Sequence, residues 1–400
     1  MELDSLKELA IPSPAKILLL VMDGLGGLPR EVGGLTELET ARTPNLDALA
    51  ARSICGLQEP VGSGITPGSG PGHLGLFGYD PLKFEIGRGV LEALGIDFDL
   101  KPTDVAARGN FATKNDARQI VDRRAGRIET KKSSELCRLL NDIRLPGVQV
   151  FVEPVKEHRF VLVLRGEGLS DRLGETDPGR EGVPARPVHA LDPAAQPAAD
   201  IANAFVAEAE KVLHGHRPAN TVLLRGFARH PKIPTVDQLY GLRAAAIASY
   251  PMYRGLAKLV GMEALKTGET FADEIKTLAE NFARYDFCYV HFKKTDSAGE
   301  DGDFDRKVRE IEEVDRHLPD LLDLGPDVVV VTGDHSTPSV LKGHSWHPVP
   351  VLLYSRYCRA DTVAEFSERG CARGALGTFH AIQIMPLALA NALKLAKFGA

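Results

Sequence analysis

The chain is short of several things, and each shortage closes off a class of protein. Its 400 residues include five cysteines and one tryptophan. Cys55, Cys137, Cys288, Cys358 and Cys371 are scattered, with no CxxC pair, so they read as free thiols of a reducing compartment. No apolar run approaches the roughly 20 residues that cross a bilayer. The first residues, MELDSLKELAIPSPAK, are acidic and hold no apolar signal core, so a cytoplasmic location is expected. Charge of one sign is also scarce: the net value is −6, with a pI near 6.1. Neither nucleic acid nor an anionic membrane is expected as a partner, and a substrate anion would have to be met by local Arg and Lys. Two ligand signatures are missing as well. The glycines after Asp23 do not form GxGxxG, which argues against a dinucleotide site. The acidic stretch around Asp301 lacks the spacing and closing Glu of an EF-hand.

What is present is ordinary globular material, 44% hydrophobic and 26% charged, and long enough for two domains. Three apolar runs end in metal-ligand chemistry. KILLLVM (residues 16–22) runs into Asp23. YDFCYVHF (285–292) runs into KKTDSAGEDGD, with Asp296 and Glu300 four apart across a Gly-containing turn. The run from Val328 to Val351, VVVVTGDHSTPSVLKGHSWHPVPV, supplies Asp334, His335, His344 and His347. Continuous apolar strands imply a parallel sheet buried on both faces, and such sheets bind ligands at their carboxyl ends. Near Asp296 the further acids Asp301, Asp303 and Asp305 make a solvated acidic loop the plain alternative.

A fourth segment, GSGITPGSGPGHLGLFGYDP (62–81), is a glycine-rich loop turning into a short helix. A serine there is surrounded by free backbone N–H groups at a positive helix end. Ser69 is the candidate nucleophile, with His73 four residues on; Ser63 and Thr66 are weaker candidates. Carboxylate and imidazole ligands in two clusters suggest a two-metal site for Mn²⁺, Zn²⁺ or Mg²⁺, suited to phosphoryl transfer through a serine.

Between these segments the texture changes. Residues 106–230 alternate strand, helix, hairpin and helix in an α+β pattern, interrupting an α/β domain made of 1–105 and 231–400. The interruption is rich in Arg, a residue suited to bidentate anion contacts. Arg123, Arg124, Arg127, Arg159 and Arg165 sit in tight turns or at strand edges. Arg254 and Lys258, on a helix after AAAIASY, are further candidates at the sheet edge.

VMDGLGG, TPNLDALA, PGSGPGHLGLFGYDP, VDRRAGRI, HRFVLVLRGEGLSD, KKTDSAGEDGD and TGDHSTPSVLKGHSWHPVP together resemble the cofactor-independent phosphoglycerate mutases of the archaeal type, in the alkaline phosphatase superfamily. The resemblance covers nearly the whole chain, in order. It implies an alkaline-phosphatase-like α/β core, with a mostly parallel central sheet flanked by helices, and a smaller inserted α+β domain that binds substrate and acts as a lid. It implies two divalent metal ions, Mn²⁺ foremost with Mg²⁺, Zn²⁺ or Co²⁺ as alternatives, and no requirement for 2,3-bisphosphoglycerate. Asp23, Ser69, Asp334 and His335 would hold one ion; Asp296, Glu300 and His344 would hold the other, with His347 only a neighbour. Ser69 would carry the phosphoryl group as 3-phosphoglycerate and 2-phosphoglycerate interconvert, in glycolysis or gluconeogenesis. His73 and the named arginines, with Arg254 and Lys258, would face the substrate. A phosphatase or another phosphomutase of the superfamily is the alternative. One departure stands out: related sites place a histidine four residues after the aspartate, where this chain has Glu300, a harder ligand that favours Mn²⁺ or Mg²⁺ over Zn²⁺.

Overall fold

A computed structural model describes residues 3–84 and 86–399. The chain divides into two compact units, residues 1–85 with 233–400, and residues 86–232. The first unit is built on eight strands. From edge to edge they are Glu263–Leu265, Ala244–Ile247, Phe287–Phe292, Ile17–Met22, Val328–Thr332, Val349–Ser355, Ile54–Glu59 and Gly377–His380. All run the same way except Val349–Ser355, which is antiparallel to both neighbours. The sheet is thus mostly parallel, as expected.

Ile17–Met22 (ILLLVM) lies inside the sheet, and all six residues are buried. It has no polar member because both faces are covered. Its neighbours are in register with it: Met22 stands opposite Phe292, and Val21 opposite Thr332. Three chain segments therefore leave the sheet at one level, carrying Asp23, Lys293 and Gly333 outwards. On one face, Ile311, Val314, Leu318 and Leu321 recur at helical spacing in Phe304–Leu322 and join the main core.

Asp296 and Glu300 do not span a turn. They lie on one short helix, Lys294–Asp301. The segment reads as loop because of its acids, but Thr295, Asp296, Ala298 and Gly299 are buried, and that burial stabilises a helix the composition alone would not.

The second unit has six strands, all paired antiparallel. Its separate core includes Phe111, Leu136, Phe160, Phe205 and Leu224. The helix Arg88–Gly95 packs on the strands Val105–Lys114 and Thr221–Ala228. The unit therefore starts at residue 86 and not at 106; in sequence, this helix looks like any other that flanks a sheet. No described helix is long and apolar enough to cross a membrane.

Candidate active site

The carboxyl edge of the first unit's sheet gathers the expected residues. Asp23, Asp296, Asp334 and His335 are all fully buried. Asp334 Oδ1 accepts from Gly24 N at 3.1 Å, tying the first strand's exit to the third's. Ser69 opens the helix Ser69–Leu76, and its Oγ lies 3.2 Å from His335 Nε2. The helix gets this close because of Gly72: a Cβ there would stand 2.3 Å from the Asp334 carbonyl oxygen.

Among the described residues, two groups could each hold a metal ion: Asp23, Asp334 and His335, and Asp296, His335 and His344. His335 belongs to both, whereas the sequence reading gave it to the first alone. Its Nε2 lies 3.4 Å from Asp23 Oδ1 and 3.2 Å from Asp334 Oδ2. His344 stacks on it with ring centroids 3.6 Å apart. His344 Nδ1 is engaged with the Pro67 carbonyl at 2.9 Å, while Nε2 lies 3.6 Å from Asp296 Oδ1 and 4.0 Å from Glu300 Oε1. Glu300 is half-exposed at the rim of the second group; burial and the Asp296 charge raise its pKa.

The residues fit divalent cations. Asp23 Oδ1 and Asp334 Oδ2 are buried with no hydrogen-bond partner among the described residues. A buried carboxylate oxygen left without a partner is costly unless a cation meets it, and carboxylate with imidazole is a donor set for such ions. The protein's own groups meet the other Asp23 oxygen. Burial pushes the Asp23 carboxyl up, but Lys293, His291 and His335 outweigh it and hold it well below the usual range. Burial likewise holds the His335 imidazole down, against the pull of Asp334 and Asp23.

Two of these groups went unnoticed in the sequence. Lys293 Nζ bridges Asp23 Oδ2 at 3.1 Å and Asp296 Oδ2 at 2.5 Å, and touches Tyr253 Oη at 3.2 Å. His291 Nε2 meets Asp23 Oδ2 at 3.1 Å, and its ring stacks on Tyr253 at 3.7 Å. KKTD looks like a solvated run, and only the position of Lys293, one residue past a buried strand, could have flagged it.

His73 does not face a substrate. It is fully buried among the rings of Phe77, Tyr253, Tyr289 and His291. Its Nδ1 lies 2.8 Å from the Ser69 carbonyl and 3.2 Å from Asp334 Oδ2, so it braces the helix against Asp334. Helical spacing puts it one turn behind Ser69, on the inner face. Arg254 donates to the Leu265 carbonyl at 3.4 Å, on the edge strand, with Lys258 one turn along the same helix. That helix presents Tyr253 to the site.

In the second unit the arginines divide. Arg123 makes a bidentate pair with Asp177 at 2.8 and 2.9 Å, and Arg165 one with Asp104 at 2.8 and 2.7 Å. These two are framework ties. Arg124, Arg127 and Arg159, together with Arg108, surround His158; burial, then their charge, push its pKa down to about 4. Arg88, also unforeseen, lies near Arg159 and Arg225, and burial lowers its pKa. So dense a set of cations is a ready receptor for an anion.

Fold and site together define an α/β protein with a candidate two-metal centre and a serine beside it. The family model described as 2,3-bisphosphoglycerate-independent phosphoglycerate mutase matches residues 50–220. The chain is 54% identical over 397 residues to a probable 2,3-bisphosphoglycerate-independent phosphoglycerate mutase of Thermosipho melanesiensis, covering 99% of this chain and 98% of the relative. It is 51% identical to the one of Thermus thermophilus, with the same coverage. Among solved structures, a Pyrococcus horikoshii protein superposes with a TM-score of 0.84 at 30% identity, over 98% of this chain and all of that one. The cofactor-independent phosphoglycerate mutase of Thermoplasma acidophilum gives 0.68 at 32% identity, covering 94% of this chain and 100% of that one. The chain belongs to the 2,3-bisphosphoglycerate-independent phosphoglycerate mutase family, which places it among the isomerases.

Proposed function

We propose that the chain interconverts 3-phosphoglycerate and 2-phosphoglycerate through a phosphoserine on Ser69, as a cytoplasmic step of glycolysis or gluconeogenesis. The observation that carries this reading is Ser69 Oγ, 3.2 Å from His335 Nε2, at a helix start beside two buried carboxylate groups. Asp23, Ser69, Asp334 and His335 would hold one divalent cation, Mn²⁺ foremost, and Asp296, Glu300 and His344 the other; when bound, such ions would offset the charge of the phosphoryl oxygens and favour ionisation of the serine. Ser69 Oγ gives up its proton and forms the new P–O bond while the bond to the substrate oxygen breaks, and that oxygen takes up a proton, leaving glycerate. The free N–H groups of the helix Ser69–Leu76 favour the phosphoryl charge on the serine. The glycerate then takes the phosphoryl group back on its other hydroxyl. Lys293 keeps the carboxylates of Asp23 and Asp296 apart from one another's charge. The inserted unit is the substrate-handling one, and its Arg124, Arg127 and Arg159 are the candidates for holding the substrate anion. No 2,3-bisphosphoglycerate is needed, because Ser69 itself carries the phosphoryl group between the two hydroxyls.

The test is turnover of 3-phosphoglycerate, read by coupling to enolase, after chelation and after reloading with Mn²⁺. Turnover is expected to disappear with chelator, return with Mn²⁺, and fall to background in Ser69→Ala. Parent-like turnover by Ser69→Ala would sink the serine mechanism. Release of free phosphate in excess of mutase turnover would make the protein a phosphatase.

A further inference from the structure

His335 stands between the two metal-ligand groups, and a neutral imidazole has only one bare nitrogen to offer. Its Nδ1 lies 2.9 Å from Thr337 Oγ1 and 4.0 Å from Asp296 Oδ1. The same hydroxyl lies 2.7 Å from Asp296 Oδ1. A hydroxyl has one proton, and a carboxylate oxygen can only accept. Thr337 therefore donates to Asp296 and is left to accept from His335. The ring proton must then sit on Nδ1. Nδ1 is thus committed to Thr337, and Nε2 is the nitrogen that faces Ser69 Oγ at 3.2 Å and the Asp23 and Asp334 side.

The hydroxyl is held from several directions. Thr337 N donates to the Gly24 and Gly26 carbonyls at 3.3 and 3.0 Å. The Thr337 carbonyl accepts from the fully buried Lys307 Nζ at 2.9 Å, which also reaches the Gly26 carbonyl at 2.9 Å. Gly24, at φ +65°, completes the pocket: a Cβ there would stand 2.5 Å from Thr337 Oγ1 and 2.9 Å from Asp296 Cβ. The loop after the first strand thus presses the hydroxyl into place between a residue of each group.

We propose that Thr337 is the positioning residue of this centre: its hydroxyl fixes the Nδ1–H tautomer of His335 and orients Asp296, so that one bridge sets ligands of both ions. This rests on the metal-ligand reading given under Proposed function. Partners of this kind behind a metal ligand typically carry about 10–100-fold in metal affinity.

The experiment has two readouts other than activity. Long-range ¹H–¹⁵N correlation on the metal-free, ¹⁵N-histidine-labelled protein gives the tautomer, with the His335 signals assigned by their loss in His335→Gln. A proton on Nδ1 is expected in the unsubstituted protein; a bare Nδ1 overturns the proposal, and this result needs no variant to fold. Titration with Mn²⁺ by calorimetry then compares Thr337→Val and Thr337→Ser. The valine variant is expected to lose about 10–100-fold in affinity while the serine variant stays near the parent, with the melting temperatures of the metal-free proteins close together. Equal Mn²⁺ affinity in the parent and both variants overturns the bridge. If the unsubstituted protein binds no Mn²⁺, the metal reading fails, and the tautomer still decides the hydrogen-bond assignment.

Discussion

Gly72→Ala is the smallest change that should separate the serine from its partners. The added methyl would begin 2.3 Å from the Asp334 carbonyl oxygen and 3.1 Å from its carbonyl carbon. An ordinary C···O contact is about 3.3 Å, so the helix Ser69–Leu76 must retreat by roughly 1 Å. The obstacle is backbone, at the end of a central strand, and it cannot swing aside as a flexible side chain would. Two costs follow. Overpacking a tight contact costs about 1–3 kcal/mol of stability. A 1 Å displacement at a reacting centre costs on the order of 10²-fold in rate. The backbone around Gly72 is helical, so propensity alone would favour alanine by up to about 1 kcal/mol; any loss is then due to the contact. Turnover of 3-phosphoglycerate at saturating Mn²⁺ should fall about 100-fold, with the melting temperature lowered by a few degrees. A Gly72→Ala protein that turns over and melts like the parent, or melts higher, would refute the close approach.

Three further outcomes are expected. Glu274 is buried, accepts from Ser249 N at 2.9 Å, and has its pKa pushed up to about 8, chiefly by burial. The unfolded chain releases this proton near ~4.3, so between there and about 8 the folded state holds a proton the unfolded state lacks, and stability falls as pH rises. Glu274→Gln should therefore gain on the order of 1–3 kcal/mol over the parent at pH 9, and little at pH 4.5, in chemical denaturation of the chelated protein; a pH-independent difference would contradict the shift. Arg165→Ala strands the fully buried Asp104, so it should cost about 1–3 kcal/mol in the second unit with little change in KM, whereas Arg159→Ala should raise KM with little change in melting; the reverse pattern would exchange their roles. Glu300→His should shift metal preference toward Zn²⁺ by about tenfold in competition with Mn²⁺, and an unchanged preference would mean Glu300 is no ligand.

The parts of the site legible in the sequence were those that follow buried strands. ILLLVM, FCYVHF and VVVVT announce themselves by being apolar throughout, and a carboxylate at the end of such a run has few structural excuses. Ser69 was legible because a glycine-rich loop before a helix is a recognisable anion site. What escaped notice was burial off the strands. Lys293 and Lys307 are charged residues in charged surroundings, and nothing in their neighbours' identities says that Lys307 is fully buried. His73 was found but misplaced: its spacing from Ser69 gave the right helix, while only the packing of Tyr253 and Tyr289 decides that it faces inwards. Thr337 follows the most conspicuous motif in the chain, yet a hydroxyl shows its importance only through what lies within 3 Å of it. The first unit's boundary was missed for a related reason, since the apolar stripe of Arg88–Gly95 says that it covers a sheet and not which sheet.

The place of Ile17–Met22 inside the sheet also bears on how the chain is made. Its two partners are Phe287–Phe292 and Val328–Thr332. About 265 residues separate Met22 from Phe287, which at roughly 5–20 residues per second is about 13–53 s of synthesis. During that interval an entirely apolar strand has emerged and has nothing to pair with. The second unit draws its core from residues between Val105 and Phe227, all of them made before either partner appears. An early strand of the first unit is thus among the last to be housed, and Asp23 cannot meet Asp334 until about 311 further residues have been made.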